Sequence, residues 1–146
     1  MQQHSMTTGQ KRGSRLPSPG QLVPGLQEVA GALYQATGNG SVPQTTLDLA
    51  SLRAGQIVGN TYLTVRSSAS LRQAGASEER ITAVASWQDA PYFSEAERAA
   101  LAPVEAVLQP PAHGERVSDE LYAEAAKHHD PNALATLTTA IGQVCF

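Results

Sequence analysis

Polar side chains at helical spacing are the first candidates for chemistry in this sequence. Asn60 and Ser67 are seven residues apart, which places them within about 20° of each other on one helix face. Thr64 lies between them, and Asp48 and Gln56 precede them on another segment with apolar periodicity. Amide, hydroxyl and carboxylate groups of this kind could orient a carbonyl or carboxylate compound and accept a proton from it.

The side chains that most other chemistries need are missing. The chain has 146 residues and one cysteine, Cys145, so it holds neither a reactive dithiol nor an internal disulfide. It contains no phosphate-binding glycine loop, no G-x-S-x-G element and no Cys/His cluster of the zinc type. His128 and His129 are neighbours and point about 100° apart on a helix. We therefore expect no bound metal and no cofactor.

Helices are expected to position the candidate residues. Apolar residues make up 41% of the chain and aromatic residues only 5%, and the apolar positions follow helical spacing without any strand pattern. Gly59 and Asn60 mark a break between two helices, and Pro103 is expected to kink its helix or end it early. The predicted N-caps are Ser77, Ser94, Ser118 and Asp130. The result is an all-α domain of about six helices.

A polar leader is predicted before this domain. Residues 1–20 contain scattered Gly, Ser and Pro and are expected to be flexible, whereas residues 21–146 form one helical domain. The leader holds Lys11, Arg12 and Arg15 and no acid, so the net charge of −3 belongs to a more acidic body that disfavours nucleic-acid binding. No apolar run is long enough for a membrane span and no signal peptide is found, so the cytoplasm is the expected location.

Two segments resemble a known family. Residues 53–67, R-A-G-Q-I-V-G-N-T-Y-L-T-V-R-S, are similar to the pattern R-A-S-Q-I-N-G-C-x-x-C-x-x-x-H of the carboxymuconolactone decarboxylase and alkylhydroperoxidase-like superfamily. Residues 87–101 resemble its W-x-x-x-P-x-F-S-x-x-E-R-A-A-L stretch. The resemblance covers roughly residues 22–146. It implies an alkylhydroperoxidase-like bundle of about six helices that assembles into a homotrimer or homohexamer.

The same resemblance implies where the redox centre of the family would lie, with a degenerate motif in this chain. The two cysteines correspond to Asn60 and Leu63, the histidine to Ser67, and the glutamate of the preceding helix to Asp48. A thiol peroxidase needs one thiolate to attack the peroxide and a second thiol to resolve the product, and neither exists here. Alkylhydroperoxidase or peroxiredoxin-type activity is therefore the least favoured function.

Two other hypotheses remain open for this pocket. In the first, the chain is a lyase or isomerase without a cofactor, acting by acid–base chemistry on a small carbonyl or carboxylate compound. Its catalytic residues would be Asp48, Asn60 and Ser67. The residues expected to bind the substrate are Arg53, Gln56, Tyr62, Thr64 and Arg66. In the second, the chain is a catalytically silent oligomer that binds a small molecule, with Asn60 as an N-cap, Ser67 as a packing residue and Asp48 as a solvated carboxylate.

Overall fold

The computed structural model describes Gly13 and residues 15–146, and in that part of the chain all regular structure is helical. The eight α-helices are α1 (Pro19–Leu22), α2 (Leu26–Thr37), α3 (Gln44–Val58), α4 (Thr61–Gln73), α5 (Glu78–Ala83), α6 (Glu95–Leu108), α7 (Asp119–His128) and α8 (Pro131–Gln143). A 3-10 turn (Val84–Ser86) follows α5. The all-α prediction is confirmed, and the count is roughly consistent with about six; the four-residue α1 was not predicted.

The chain divides into two compact units between Ala32 and Leu33. The second unit contains helices α3 to α8 and therefore every candidate site residue. Most of the predicted leader, residues 1–12 and 14, lies outside the described residues, and its last two residues belong to α1. A boundary between a leader and a domain at residue 20 stays a prediction.

Helix α3 lies at the centre of the second unit, where it packs against α4, α6, α8 and the 3-10 turn. Leu49 and Leu52 belong to a cluster that includes Leu71 of α4 and Leu101 of α6. The small residues Ala50 and Ala54 on another side of α3 meet Val104 and Ile141. A helix that buries apolar residues on several sides holds its polar residues at the few positions left open, and those positions define the candidate site.

The predicted helix starts are confirmed. Each predicted N-cap accepts a hydrogen bond from the backbone N–H three residues later, and Ser94 and Glu97 form a reciprocal capping box. The prediction that Pro103 could end its helix early was wrong, because α6 continues through Pro103 to Leu108. Buried packing on both sides of the proline, by Leu101 and Val104, offsets the lost backbone hydrogen bond. None of the described helices has the length and apolarity to span a bilayer.

Candidate functional site

The site is built on a tight hairpin between α3 and α4. Helix α3 ends at Gly59, whose φ of 70° is the left-handed conformation that favours glycine, and α4 begins directly after Asn60. Gly55 allows the two helices to approach closely, because a Cβ atom there would lie 3.0 Å from Cγ2 of Thr64 and 3.2 Å from its backbone nitrogen. The short connection makes the helices antiparallel neighbours.

Asn60 and Thr64 are committed to the backbone of their own helix. Oδ1 of Asn60 accepts a hydrogen bond from the backbone N–H of Leu63 at 3.0 Å, so Asn60 is the N-cap of α4. The Thr64 hydroxyl donates to the carbonyl oxygen of Thr61 at 2.8 Å. Ser67 follows one turn later and is buried, with 4% of its surface exposed. These three residues share one helix face, as their spacing predicts.

Asp48 reaches α4 from the opposite helix. Its Oδ2 accepts a hydrogen bond from the Ser70 hydroxyl at 2.6 Å, and its Oδ1 accepts one from the Gln44 amide at 3.1 Å. The carboxylate is half-buried and both of its donors are neutral. Sequence reasoning missed Ser70, although its position one turn after Ser67 places it toward the same side of α4.

The hairpin does not bring Asp48 and Asn60 together. Asp48 meets α4 at Ser70, ten residues beyond Asn60, which corresponds to about 15 Å along the helix axis. Ser67, by contrast, lies only one turn from Ser70. The predicted catalytic set therefore separates into Asp48 with the Ser67–Ser70 turn at one end and Asn60 at the other.

Arg53 and Gln56 belong to a second cluster on α3. Nε of Arg53 donates to Oε1 of Glu105 at 2.5 Å, and its NH1 donates to Oε1 of Gln56 at 3.3 Å. The indole N–H of the buried Trp87 also donates to Oε1 of Glu105, at 3.0 Å. Arg53 is thus held in an ion pair within the fold, with only 15% of its side chain exposed.

Glu105 is the acceptor on which this cluster converges. Burial raises the pKa of Glu105, but the hydrogen bonds from Arg53 and Trp87 outweigh it and hold the pKa below its ordinary value. Glu105 therefore carries its charge at neutral pH. In the sequence, the spacing of Glu105 from Leu101 and Leu108 is that of a residue on a helix flank. Only the contacts with Arg53 and Trp87 in the structure identify its partners.

Tyr62 and Arg66 lie on the outward face of α4. Tyr62 is 74% exposed and Val65 is 64% exposed. The guanidinium carbon of Arg66 lies 5.5 Å from the ring centroid of Tyr34, which is a cation–π distance. Together with Tyr34 of α2, these residues form a partly apolar surface away from the end of the hairpin that holds Asp48. We call this surface the α4 face (Tyr34, Tyr62, Val65 and Arg66).

The described residues offer no group of three or more His, Cys, Asp or Glu side chains that could hold a metal ion. Cys145 is exposed and follows α8, outside the hairpin. The acid–base groups available on the hairpin are therefore oxygen groups, and Asp48 is the single carboxylate between residues 44 and 73.

Comparison with known proteins decides the family. Residues 22–106, more than half of the chain, match the carboxymuconolactone decarboxylase (CMD) family. The chain belongs to the carboxymuconolactone decarboxylase family. The CMD match includes both α3 and α4, so it covers every residue of the hairpin site.

Two curated relatives of this CMD chain are themselves uncharacterized. It is 27% identical over 124 residues to the protein YdfG of Bacillus subtilis (strain 168), which covers 85% of this chain and 83% of YdfG. It is 42% identical over 67 residues to YnjA of Escherichia coli (strain K12), which covers 45% of this chain and 35% of YnjA. Both relatives are consistent with the family, and neither supplies an activity.

Solved structures share the fold of this CMD protein. A protein of unknown function from Agrobacterium tumefaciens, proposed to be the antioxidant defence protein AhpD, superposes with a TM-score of 0.76 at 25% identity and covers 85% of this chain and 84% of its own. The debrominase Bmp8 in complex with 2,3,4-tribromopyrrole superposes with a TM-score of 0.73 at 20% identity, over 86% of this chain and 66% of Bmp8. The alkylhydroperoxidase-like helical fold is therefore confirmed.

Proposed function

We propose that this CMD-family chain is an enzyme that works without thiols, by acid–base chemistry on a small carbonyl or carboxylate compound. Asp48 accepts the proton, and the Ser70 hydroxyl holds its carboxylate in place. Ser67, one turn away on α4, contributes to the wall of the same site. This proposal keeps Asp48 and Ser67 from the predicted catalytic set, adds Ser70, and gives Asn60 the role of an N-cap.

The main support for the proposal is that the groups which donate hydrogen bonds to Asp48 are neutral. Four other carboxylates among the described residues pair with cations, and the pKa of each is lowered: Glu78 with Arg72, Glu97 with Arg80, Glu105 with Arg53 and Glu124 with Lys127. A carboxylate stabilised by a cation is a weaker base. Asp48 is half-buried and accepts its hydrogen bonds from two neutral groups, the Ser70 hydroxyl and the Gln44 amide.

An isomerisation balances with these groups. Asp48 removes the proton from the carbon between a carbonyl and a carbon–carbon double bond; the electron pair forms a new carbon–carbon double bond while the carbonyl π pair moves onto oxygen. The carbonyl then re-forms, the original double bond shifts by one position, and its far carbon takes the proton back from protonated Asp48. In a decarboxylation Asp48 takes the proton of the substrate's carboxylic acid, the carbon–carbon bond to the carboxylate breaks and carbon dioxide leaves. The electron pair is held as the enolate of the neighbouring carbonyl until the carbon takes the same proton back from Asp48. Neither reaction consumes an oxidant or a reductant.

A second candidate is a protein of the same family that binds a small molecule without converting it. It is favoured by the internal commitments of Asn60, Thr64 and Arg53, each of which already bonds to the fold itself. The complex of Bmp8 with a tribrominated pyrrole illustrates that this fold can accommodate a small ring compound. Peroxide reduction is a third and weaker candidate because the chain has a single cysteine.

The partner proposed for either function is a further copy of the chain, in a homotrimer or homohexamer. The α4 face supports this proposal, since Tyr34, Tyr62 and Val65 are each more than 60% exposed. Large apolar side chains gathered on one surface are typical of sites that another protein covers.

The deciding experiment measures stabilisation and turnover in parallel. A panel of β-keto acids and unsaturated lactones is screened by thermal shift, and each compound that stabilises the protein is followed by NMR for product. Asp48→Asn should lower turnover by about 10²-fold to 10⁴-fold, because it removes the base while keeping the shape of the side chain. Asp89→Asn, which changes an exposed acid outside the hairpin, is the matched control.

Each outcome separates the candidates. Product formation that Asp48→Asn abolishes and Asp89→Asn preserves supports the enzyme. Stabilisation without product supports the binding protein. Turnover that persists in Asp48→Asn rules out Asp48 as the base, and peroxide consumption that survives Cys145→Ser would revive the third candidate.

A further inference from the structure

A separate pocket lies between the end of α2, the loop that leads to α3 and the first half of α8. It is an open cleft of about 670 Å³, in which Thr136 is buried, Ser41 is half-buried and the other lining residues are exposed. Apart from small residues, its lining consists of six polar side chains: Asn39, Ser41, Asp130, Asn132, Thr136 and Thr139. None of them belongs to the α3–α4 hairpin, so this pocket is independent of the proposed active site.

A connected hydrogen-bond network holds the wall of the pocket. The amide of Asn39 donates to the Thr136 hydroxyl at 2.9 Å, and the Ser41 hydroxyl lies 2.6 Å from Oδ1 of Asn39 and 2.9 Å from Oγ1 of Thr136. Thr136 is only 5% exposed and donates to the carbonyl oxygen of Asn132 at 2.8 Å. These bonds join the loop to α8, so the polar groups of the wall are ordered before any ligand arrives.

The network leaves hydrogen-bond acceptors unused. Thr136 donates to a backbone carbonyl, and in its contact with Ser41 either hydroxyl can be the donor. Ser41, which donates to Asn39, therefore keeps at least one lone pair, and this lone pair and the side-chain amide of Asn132 remain for a ligand. Groups that donate and accept at once, as hydroxyls do, match such a wall.

The charges of the pocket largely cancel. No Lys, Arg or His lines it, and its one carboxylate, Asp130, caps α8 by accepting a hydrogen bond from the backbone N–H of Ala133 at 2.8 Å. The positive end of the α8 dipole and the negative Asp130 therefore offset each other. The first residue of α8, Pro131, has no N–H to offer an anion. The pocket thus favours neither an anion nor a cation.

We infer that this pocket binds a small neutral polyhydroxyl compound, of about the size of a monosaccharide. The cleft has room for such a molecule, the ordered amide and hydroxyl groups set the hydrogen-bonding pattern, and the absence of cationic side chains together with the capping role of Asp130 sets the neutrality. The pocket does not rely on Asp48 or on any reaction at the hairpin.

The test uses three probes that share the glucopyranose ring and differ in charge: D-glucose, D-glucosamine, in which an ammonium group replaces the 2-hydroxyl, and glucose 6-phosphate, which carries a phosphate on the 6-oxygen. Each is titrated into the full-length protein while the backbone amides of Gly40, Ser41 and Thr136 are followed by two-dimensional NMR. Glucose should give saturable shifts of these signals, and the two charged probes should bind at least about threefold more weakly.

Variants localise the site with a matched pair. Thr138 and Thr139 are adjacent, exposed, and each donates to the carbonyl oxygen four residues earlier, but only Thr139 lines the pocket. Thr139→Ala should weaken glucose binding about threefold to tenfold, and Thr138→Ala should leave it unchanged. Ala135→Leu should weaken glucose binding by placing three further carbon atoms against the ordered wall, while the remaining spectrum stays that of the folded protein.

Three results would overturn the inference. The first is the absence of saturable shifts with glucose. The second is equal or tighter binding of glucosamine or glucose 6-phosphate, which would assign the pocket to a charged ligand. The third is an equal effect of Thr138→Ala and Thr139→Ala, which would show that the pocket wall plays no part in binding.

Discussion

At the scale of single residues, the partners of the charged side chains decide which of them are available for chemistry. Arg53 lies in the family-like segment and looks like a substrate-binding residue, but it pairs with Glu105 from α6. Trp87 and Gln88 donate to the same carboxylate oxygen, at 3.0 and 3.4 Å. Glu105 therefore joins α3, α6 and the segment after the 3-10 turn, which makes it a stabilising residue.

Glu105→Gln should lower the free energy of unfolding at pH 7 by about 1–3 kcal/mol, because Arg53 would lose its charged partner in a poorly solvated place. The measurement is urea-induced unfolding followed by circular dichroism. Glu78→Gln is the control, since its ion pair with Arg72 is exposed and should change the unfolding midpoint very little.

The difference in stability between wild type and Glu105→Gln should depend on pH, and the lowered pKa of Glu105 gives the sign of this dependence. Because the folded-state pKa of Glu105 lies below its ordinary value of 4.5, its stabilisation is complete above that pH and is lost as the pH falls through the lowered pKa. The difference between wild type and Glu105→Gln should therefore shrink in acid. A constant difference from pH 7 to pH 3 would contradict the role given to the Glu105 charge.

At the scale of elements, the α3–α4 hairpin depends on how closely two helices can approach. Gly55 lies inside α3, where glycine normally weakens a helix relative to alanine. Glycine is favoured at this position for a steric reason. A Cβ atom would lie 3.2 Å from the backbone nitrogen of Thr64 and 3.4 Å from the carbonyl oxygen of Asn60. Backbone atoms can yield only if the whole hairpin shifts.

Gly55→Ala should therefore destabilise the protein by about 1–3 kcal/mol despite its better helix propensity. Gly142→Ala is the matched control inside α8, where nothing lies within 4 Å of the new Cβ atom, and it should stabilise by about 0.5–1 kcal/mol. Thermal unfolding of both variants checks the opposite signs. If Gly55→Ala were also stabilising, the close approach would not constrain the hairpin.

At the scale of the whole molecule, the α4 face is an apolar surface that the packing of a single copy does not bury. Tyr34, Tyr62 and Val65 are strongly exposed, whereas α3 and α6 bury most of their large apolar residues. Tyr62 was predicted to bind a substrate, but its 74% exposure suits a surface that another copy covers. Self-association of this face would also enclose the start of α4.

If the chain forms the proposed oligomer through the α4 face, the paired substitution Tyr62→Asp and Val65→Asp should reduce it to monomers, because two charges would be buried without partners. Light scattering coupled to size-exclusion chromatography measures the mass. Tyr122→Asp, on the exposed side of α7, should leave the mass unchanged. A monomeric wild type, or a double variant of unchanged mass, would contradict self-association through the α4 face.

The sequence by itself determined the helical class, the family and most helix starts. N-caps such as Ser77, Ser94 and Ser118 could be predicted because a cap bonds to the backbone three residues later, so its whole geometry lies within a short segment. The absence of a cysteine pair was equally plain, since the sequence contains one cysteine.

Only the tertiary structure decided which polar side chains meet. Asp48 bonds to Ser70 across 22 residues of sequence, and Arg53 bonds to Glu105 across 52. Such contacts depend on how α3 packs against α4 and α6, and the spacing along one helix carries no information about the residue that faces it from another. For this reason Asp48 could be predicted as a candidate, whereas its neighbour Ser70 and the internal pairing of Arg53 could not.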